Sequence, residues 1–314
     1  MRFAEGAPLL SSQPSIAALG DRFVADDADQ EALRRWQEAI QLSGQGDQRA
    51  VRTLYAYLAD EHPFVRWQAG VGLAQIAERL RRRAHLGAPL WNRQAPELTF
   101  SGLLLLMRQS LRDPNPIRRA ATADSLALWE HEAGVEFLLE ALQDTDPSVR
   151  ASVAAALGQI GDRAAVEPLL KALRDPSLWV RKAAADALGA IADPAAVPAL
   201  EQLLGDEHPL ARAAAVAALG HMSCAKAPEL LERCLHDPDP GIRWYAARGL
   251  GQVGGVGAIP ALEQLLTDQA TLFGRSIGQV AQTAIEAITH REMGLFSRLR
   301  RQWQRIRKNL QHRP

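Results

Sequence analysis

The sequence predicts an all-α, right-handed solenoid built from about seven short helical hairpins, and three observations lead there. First, Arg119, Arg150, Arg181, Arg212 and Arg243 fall at strict 31-residue steps. Second, each carries the same neighbours: an Asp six residues before it (Asp113, Asp144, Asp175, Asp206, Asp237) and a Leu seven after (Leu126, Leu157, Leu188, Leu219, Leu250). A fixed period of this length means stacked copies of one supersecondary unit rather than a closed globule. Third, 47% of the residues are hydrophobic but only 5% aromatic, so the apolar positions are mostly Ala, Leu and Val, a composition that favours helix.

Taken in chain order, residues 1–29 hold Pro8, Pro14 and acids at Asp21, Asp26, Asp27 and Asp29 without sustained periodicity, and a partly disordered arm is expected. The repeat region runs from 30 to 289, opening with a capping helix over 30–42. Asp60, Pro63, Arg66 and Leu73 begin the first unit, and the 53 residues from Arg66 to Arg119 imply an insertion near 79–96. Within a central unit, Ala165, Val166, Leu169, Leu170 and Leu173 recur at helical spacing, with Pro168 in the first turn. Asp175-Pro176-Ser177 breaks that helix, and Val180, Ala184, Ala187, Leu188 and Ile191 then line a second one. Each unit is therefore helix A, a tight turn and helix B. The Asp in the turn is expected to accept N–H groups at the start of helix B while the Arg reaches the next turn, giving a ladder along the stack. Downstream, Val280, Ala284, Ala287 and Ile288 keep the helix B pattern, but Ala281 replaces the Arg and the turn is about seven residues longer. Residues 290–314 read as a basic amphipathic helix. There Phe296, Leu299, Trp303, Ile306 and Leu310 form one apolar stripe, and Arg298, Arg300, Arg301, Arg305, Arg307 and Lys308 crowd the remaining surface.

Charge and cysteine use bound the function. The net charge is zero, so there is no general attraction to nucleic acid or membrane, although residues 291–314 carry eight Lys or Arg and one acid, net +7. Cys224 and Cys234 are too few for a disulfide scaffold and read as reduced thiols of an intracellular protein. Neither a secretory leader nor an apolar run of membrane-spanning length is apparent, so a cytoplasmic location is expected.

The unit resembles the short HEAT-like repeat of the phycobilisome-lyase type. The matching residues are Asp144-Thr145-Asp146-Pro147-Ser148-Val149-Arg150, followed by Ala154-Ala155-Ala156-Leu157-Gly158-Gln159-Ile160-Gly161-Asp162, and the resemblance covers roughly residues 47–289. Deoxyhypusine hydroxylases share this repeat type and hold two irons through His-Glu pairs just after the anchor Arg. Here those positions are Trp67-Gln68, Ala120-Ala121, Ala151-Ser152, Lys182-Ala183, Ala213-Ala214 and Trp244-Tyr245, while the lone His131-Glu132 falls in a turn. The sequence therefore implies no metal site and no cofactor. HEAT-like DNA glycosylases need a basic groove, and the corresponding positions here are mostly Ala, so nucleic acid is not the expected partner. Phycobilin lyases also share the repeat, and Ile242-Arg243-Trp244-Tyr245-Ala246-Ala247 resembles them; that likeness implies bilin handling, with Trp244, Tyr245, Arg248 and Lys182 as candidate contacts.

No nucleophile–base pair or phosphate loop is visible, so the expected function is a non-enzymatic scaffold that binds a protein or peptide on its concave face. The candidate contacts are Trp67, Gln68, Gln75, Lys182, His221, Trp244, Tyr245, Arg248 and Gln252. Gln75, Gln159, His221 and Gln252 share the position nine residues after the anchor, and two readings stand: a polar row that hydrogen-bonds a partner, or side chains that solvate the edge. Two readings of the aromatics stand side by side: partner anchors, or rings filling gaps against the end cap and the insertion. A chromophore-handling accessory protein is the alternative function. The basic C-terminal helix admits three roles: a cap, a dock for an acidic partner, or an adaptor to an anionic membrane surface.

Overall fold

The computed structural model describes residues 27–85, 98–129 and 134–311, with side chains as far as Gly294 at the C-terminal end. The expected arm over 1–29 therefore lies almost wholly outside the described residues, as do most of the expected insertion and His131-Glu132. The chain divides into two compact units, Met1–Leu106 and Met107–Pro314.

The first unit contains α1 (Asp27–Gln45), α2 (Gln48–Tyr57), α3 (Pro63–His85) and the start of α4 (Phe100–Ser110). Helix α1 packs directly on α3, with Ala32, Trp36 and Val65 buried between them. The Arg35 guanidinium donates to both oxygens of Asp60, at 2.7 and 3.3 Å. This corrects the expectation of a simple capping helix over 30–42. Asp29, Arg35 and Leu42 hold the spacing of the repeat, and Arg35 stands 31 residues before Arg66, so α1 is the helix B of a further unit. The residue 25 on from Arg66 is Trp91 rather than Asp, so the insertion interrupts the period just ahead of the boundary between the two units.

In the second unit, hairpins follow one another as A and B helices. The B helices are α5 (Pro116–Ala127), α7 (Pro147–Ile160), α9 (Leu178–Ile191), α11 (Pro209–Leu219), α13 (Pro240–Val253) and α15 (Ile277–Gln311). The A helices between them are α6 (Val135–Ala141), α8 (Val166–Ala172), α10 (Val197–Leu203), α12 (Lys226–Cys234) and the short α14 (Ile259–Glu263). Local chemistry sets where each B helix starts. Pro stands in the first turn of α5, α7, α11 and α13, where its missing N–H leaves no bond unmade. The residue before it caps the helix: Asn115, Asp146, His208 and Asp239 each accept the N–H two residues on.

Consecutive B helices pack on one another along their length, whereas neighbouring A helices touch little, so the B row is the inner side of this unit. Small residues make the close approach possible. A Cβ added at Gly158 would lie 2.5 Å from the Ala187 Cα, and one at Gly189 would lie 2.8 Å from the Ala218 Cα. The core is the space between rows, filled by Leu138, Leu157, Leu169, Leu188, Leu200, Leu219 and Leu230, all buried. Losing one such Leu to Ala typically costs roughly 2–5 kcal/mol.

The ladder expected from the Asp and Arg pattern is present. Arg119 donates through Nε and Nη2 to Asp144 at 2.7 and 2.8 Å, Arg150 to Asp175 at 2.7 and 2.8 Å, and Arg181 to Asp206 at 2.7 and 3.0 Å. The remaining Nη1 of each Arg donates to carbonyls of its own turn, such as Asp144 O at 2.8 Å for Arg150. Each Asp also accepts a backbone N–H two residues on, as from Asp146 to Asp144 at 2.8 Å. Burial by itself would raise the carboxyls of Asp144, Asp175 and Asp206, but hydrogen bonds from the Arg and from that N–H outweigh it and hold all three below the ordinary carboxylate range.

Candidate functional site

The lengthened turn before α15 folds as a hairpin, and this decides the surroundings of the C-terminal candidate residues. Strands β1 (Thr271–Leu272) and β2 (Arg275–Ser276) pair antiparallel, joined by Phe273 and Gly274 at φ +52° and +75°. Left-handed conformation at both central residues is what a two-residue hairpin with right-handed strand twist requires. Gly274 adopts it freely, while Phe273 holds it against its own Cβ.

Phe273 thereby reaches helix α13. Its ring lies 5.1 Å from that of Trp244, edge to face at 75°, and 6.3 Å from that of Tyr245. Trp244 and Tyr245 are themselves edge to face at 5.1 Å. The Arg248 guanidinium sits 5.7 Å from the centre of the Trp244 ring, and Arg248 is exposed. Trp244 is only 8% exposed, and its indole N–H has no hydrogen-bond partner. The expectation of Trp244 as an open anchor is therefore corrected: the ring is a packing element, covered because the hairpin tip folds over it. Tyr245 and Phe273 form the outward part of the cluster.

The other candidates divide by exposure. Gln68 is buried, so its amide does not face a partner. Trp67 in α3 is half-buried, and Gln75 on the same helix is exposed. Lys182 is paired with Asp186 one turn on, at 2.6 Å. His221 and Gln252 are exposed, at the equivalent position of successive repeats of the second unit. The structure thus brings Tyr245, Arg248 and Gln252 together on α13, with His221 one repeat away, and leaves Trp67, Gln68 and Gln75 in the other unit. Among the described residues no three His, Cys, Asp or Glu side chains converge as a metal site would require.

The basic C-terminal segment continues α15, whose backbone is helical to Gln311. Arg291 near its midpoint caps a neighbour: the guanidinium donates to the carbonyls of Gly251, Gln252 and Gly254 at the end of α13, at 2.5, 2.9 and 3.2 Å. Cations suit the negative end of a helix dipole. Arg298, Arg300, Arg301, Arg305, Arg307 and Lys308 lie on the helical stretch beyond the described side chains. No described helix is long and apolar enough to cross a membrane.

Sequence reasoning missed two features. One was the hairpin cover on Trp244. The other was a set of exposed apolar side chains at the second position of three B helices, α5, α9 and α11: Ile117, Trp179 and Leu210 in the second unit, with Phe64 at the same register in the first. The signal was the period itself, since Phe64, Ile117, Trp179 and Leu210 each stand two residues before an anchor Arg.

Among solved structures, importin β in an ammonium sulfate condition is similar at 16% identity and a TM-score of 0.58, over 85% of this chain and 40% of importin β. That likeness establishes the shared α-solenoid fold. An engineered protein is similar at 25% identity and a TM-score of 0.47, over 60% of this chain and 96% of its own. The complex of CpcE and CpcF of phycocyanin lyase from Nostoc sp. PCC7120 is similar at 18% identity and a TM-score of 0.42, over 92% of this chain and 100% of its own. No curated protein matches the sequence. The sequence profile of the HEAT repeats matches residues 104–177, 137–215 and 200–279, which together span more than half of the chain. With that match, the 31-residue period and the stacked hairpins in agreement, the chain belongs to the HEAT-repeat family.

Proposed function

We propose that this protein is a non-enzymatic scaffold that binds a protein or peptide partner on the inner, B-helix side of its second unit. The observation that carries the reading is the preordered cluster of Tyr245, Phe273 and Arg248 around the buried Trp244. Aromatic and Arg side chains are the residue types that most often anchor an interface. Here they are fixed before binding, by ring packing beneath and by the hairpin alongside, so a partner meets a surface with little left to order. His221 and Gln252 extend the polar margin of that surface. The two free thiols, Cys224 and Cys234, fit a reducing compartment, which supports the cytoplasm as the location.

The chromophore-handling alternative is weakened at two of its four candidate contacts on this reading. It asks Trp244 to lie against a bilin and Lys182 to bind a propionate, but Trp244 is covered and Lys182 is engaged by Asp186.

Photo-crosslinking from His221 or Gln252 in cell extract tests the proposal. The same partner is expected from both positions, with at least about tenfold lower recovery after Tyr245→Ala with Arg248→Glu, because losing an interface hot spot costs about 2 kcal/mol or more. Equal recovery by the double variant, folded as judged by circular dichroism, would remove the α13 cluster from the function.

A further inference from the structure

We infer that the exposed apolar row along the second unit is a docking surface for the basic C-terminal helix of a second copy of this chain. Ile117, Trp179 and Leu210 are 44%, 61% and 42% exposed, and each is the second residue of its B helix. Those helices lie in one row, α5 on α7, α7 on α9 and α9 on α11, so the residues fall in register along the stack, with the exposed Ser148 between Ile117 and Trp179. A single exposed apolar side chain needs no explanation, but an exposed Trp with apolar residues at the same register of other repeats marks an interaction surface.

Spacing and charge identify the occupant. Helices packed side by side step by about 8–10 Å. Seven residues of α-helix rise about 10.5 Å. In the C-terminal segment Phe296, Trp303 and Leu310 are seven apart, as are Leu299 and Ile306. A helix of that pattern laid along the row offers one apolar side chain to each repeat. Residues 107–290 carry 16 Lys or Arg against 23 Asp or Glu, net −7, and residues 291–314 carry net +7. The tail and the segment that carries the row are therefore opposite in net charge, and the tail's apolar period matches the repeat step.

The contact is between copies rather than within one. Helix α15 has 35 residues and α13, on which it packs, has 14. At about 1.5 Å per residue these are roughly 52 and 21 Å long, so much of α15 lies beyond its neighbour. The segment continues an unbroken helix and does not turn back to the row of its own chain. A tail reaching the row of another copy is a head-to-tail contact, and it closes into a dimer when two copies exchange tails.

Light scattering coupled to size exclusion, on the full chain at low salt, tests this with two surface variants, Trp179→Ala with Leu210→Ala and Trp303→Glu. The wild type is expected to self-associate, each variant to associate at least tenfold more weakly, and an equimolar mixture to recover association, because one variant keeps its tail and the other its row. A monomeric wild type, unaltered association of either variant, or no recovery on mixing would each overturn the inference. So would tail-dependent pelleting with phosphatidylserine vesicles that the row variant retains while the wild type stays monomeric. Neither variant alters His221, Tyr245, Arg248 or Gln252, so this inference and the proposed partner site fail separately.

Discussion

The middle of the repeat array and its C-terminal part use the same residues but differ in how tightly the ladder is closed. From Arg119 to Arg181 each Arg meets its Asp through two hydrogen bonds of 2.7–3.0 Å, with both side chains nearly buried. At the next rung Arg212 and Asp237 are 3.9 Å apart and more exposed. The turn that leads into the A helix differs along the array, although the Arg119 rung closes tightly with no side-chain cap on α6. At the Arg150 and Arg181 rungs Asp162 and Asp193 accept the N–H groups of Ala164 and Ala195 and fix the entry to the A helix. Thirty-one residues after Asp193 stands Cys224, a weak acceptor, and α12 begins without a side-chain cap. The preceding α11 is also shorter, at 11 residues against 14 in α9. Rung closure therefore varies along the array even where the two charged residues are the same.

Removing one arm of a rung should break this comparison most sharply. Arg150→Ala leaves a nearly buried carboxylate without its partner and should cost roughly 3 kcal/mol, whereas Arg212→Ala should cost about 1 kcal/mol. Urea unfolding of the two variants checks the ratio, and equal losses would refute the contrast. Acid comes next in size. The carboxyls of Asp144, Asp175 and Asp206 titrate below their unfolded value, so their contribution is complete above about pH 4 and is lost as pH falls through the lowered folded values. Melting temperature should therefore fall as pH drops below about 4, and Asp175→Asn should flatten that fall. The smallest effect should sharpen the comparison by repair: Cys224→Asp supplies the missing cap and should add about 0.5–1 kcal/mol.

The repeat was legible because its chemistry is written at fixed intervals. Arg, Asp and Leu at a constant spacing gave both the hairpin and the bond between hairpins before any coordinates. Arg35 escaped notice because a unit with only its B helix looks like a cap until its Asp29 and Leu42 are matched to the others. Trp244 looked exposed because its register in the preceding four repeats holds small or polar residues (Ala120, Ala151, Lys182, Ala213), and nothing in Thr271-Leu272-Phe273-Gly274-Arg275-Ser276 carries the Asn-Gly or Asp-Gly pair that usually announces a tight hairpin. Periodicity reports what every repeat does. It is silent about a segment that occurs once, and the cover over α13 is such a segment.

The ladder also bears on how a chain of this kind changes length. Every rung joins an Arg to the Asp 25 residues further on, in the next unit, and each unit supplies one of each. A gene segment encoding 31 residues can therefore be duplicated or excised anywhere between Arg119 and Asp206, and the flanking charges still find counterparts. Growth by copying leaves no orphan ion behind.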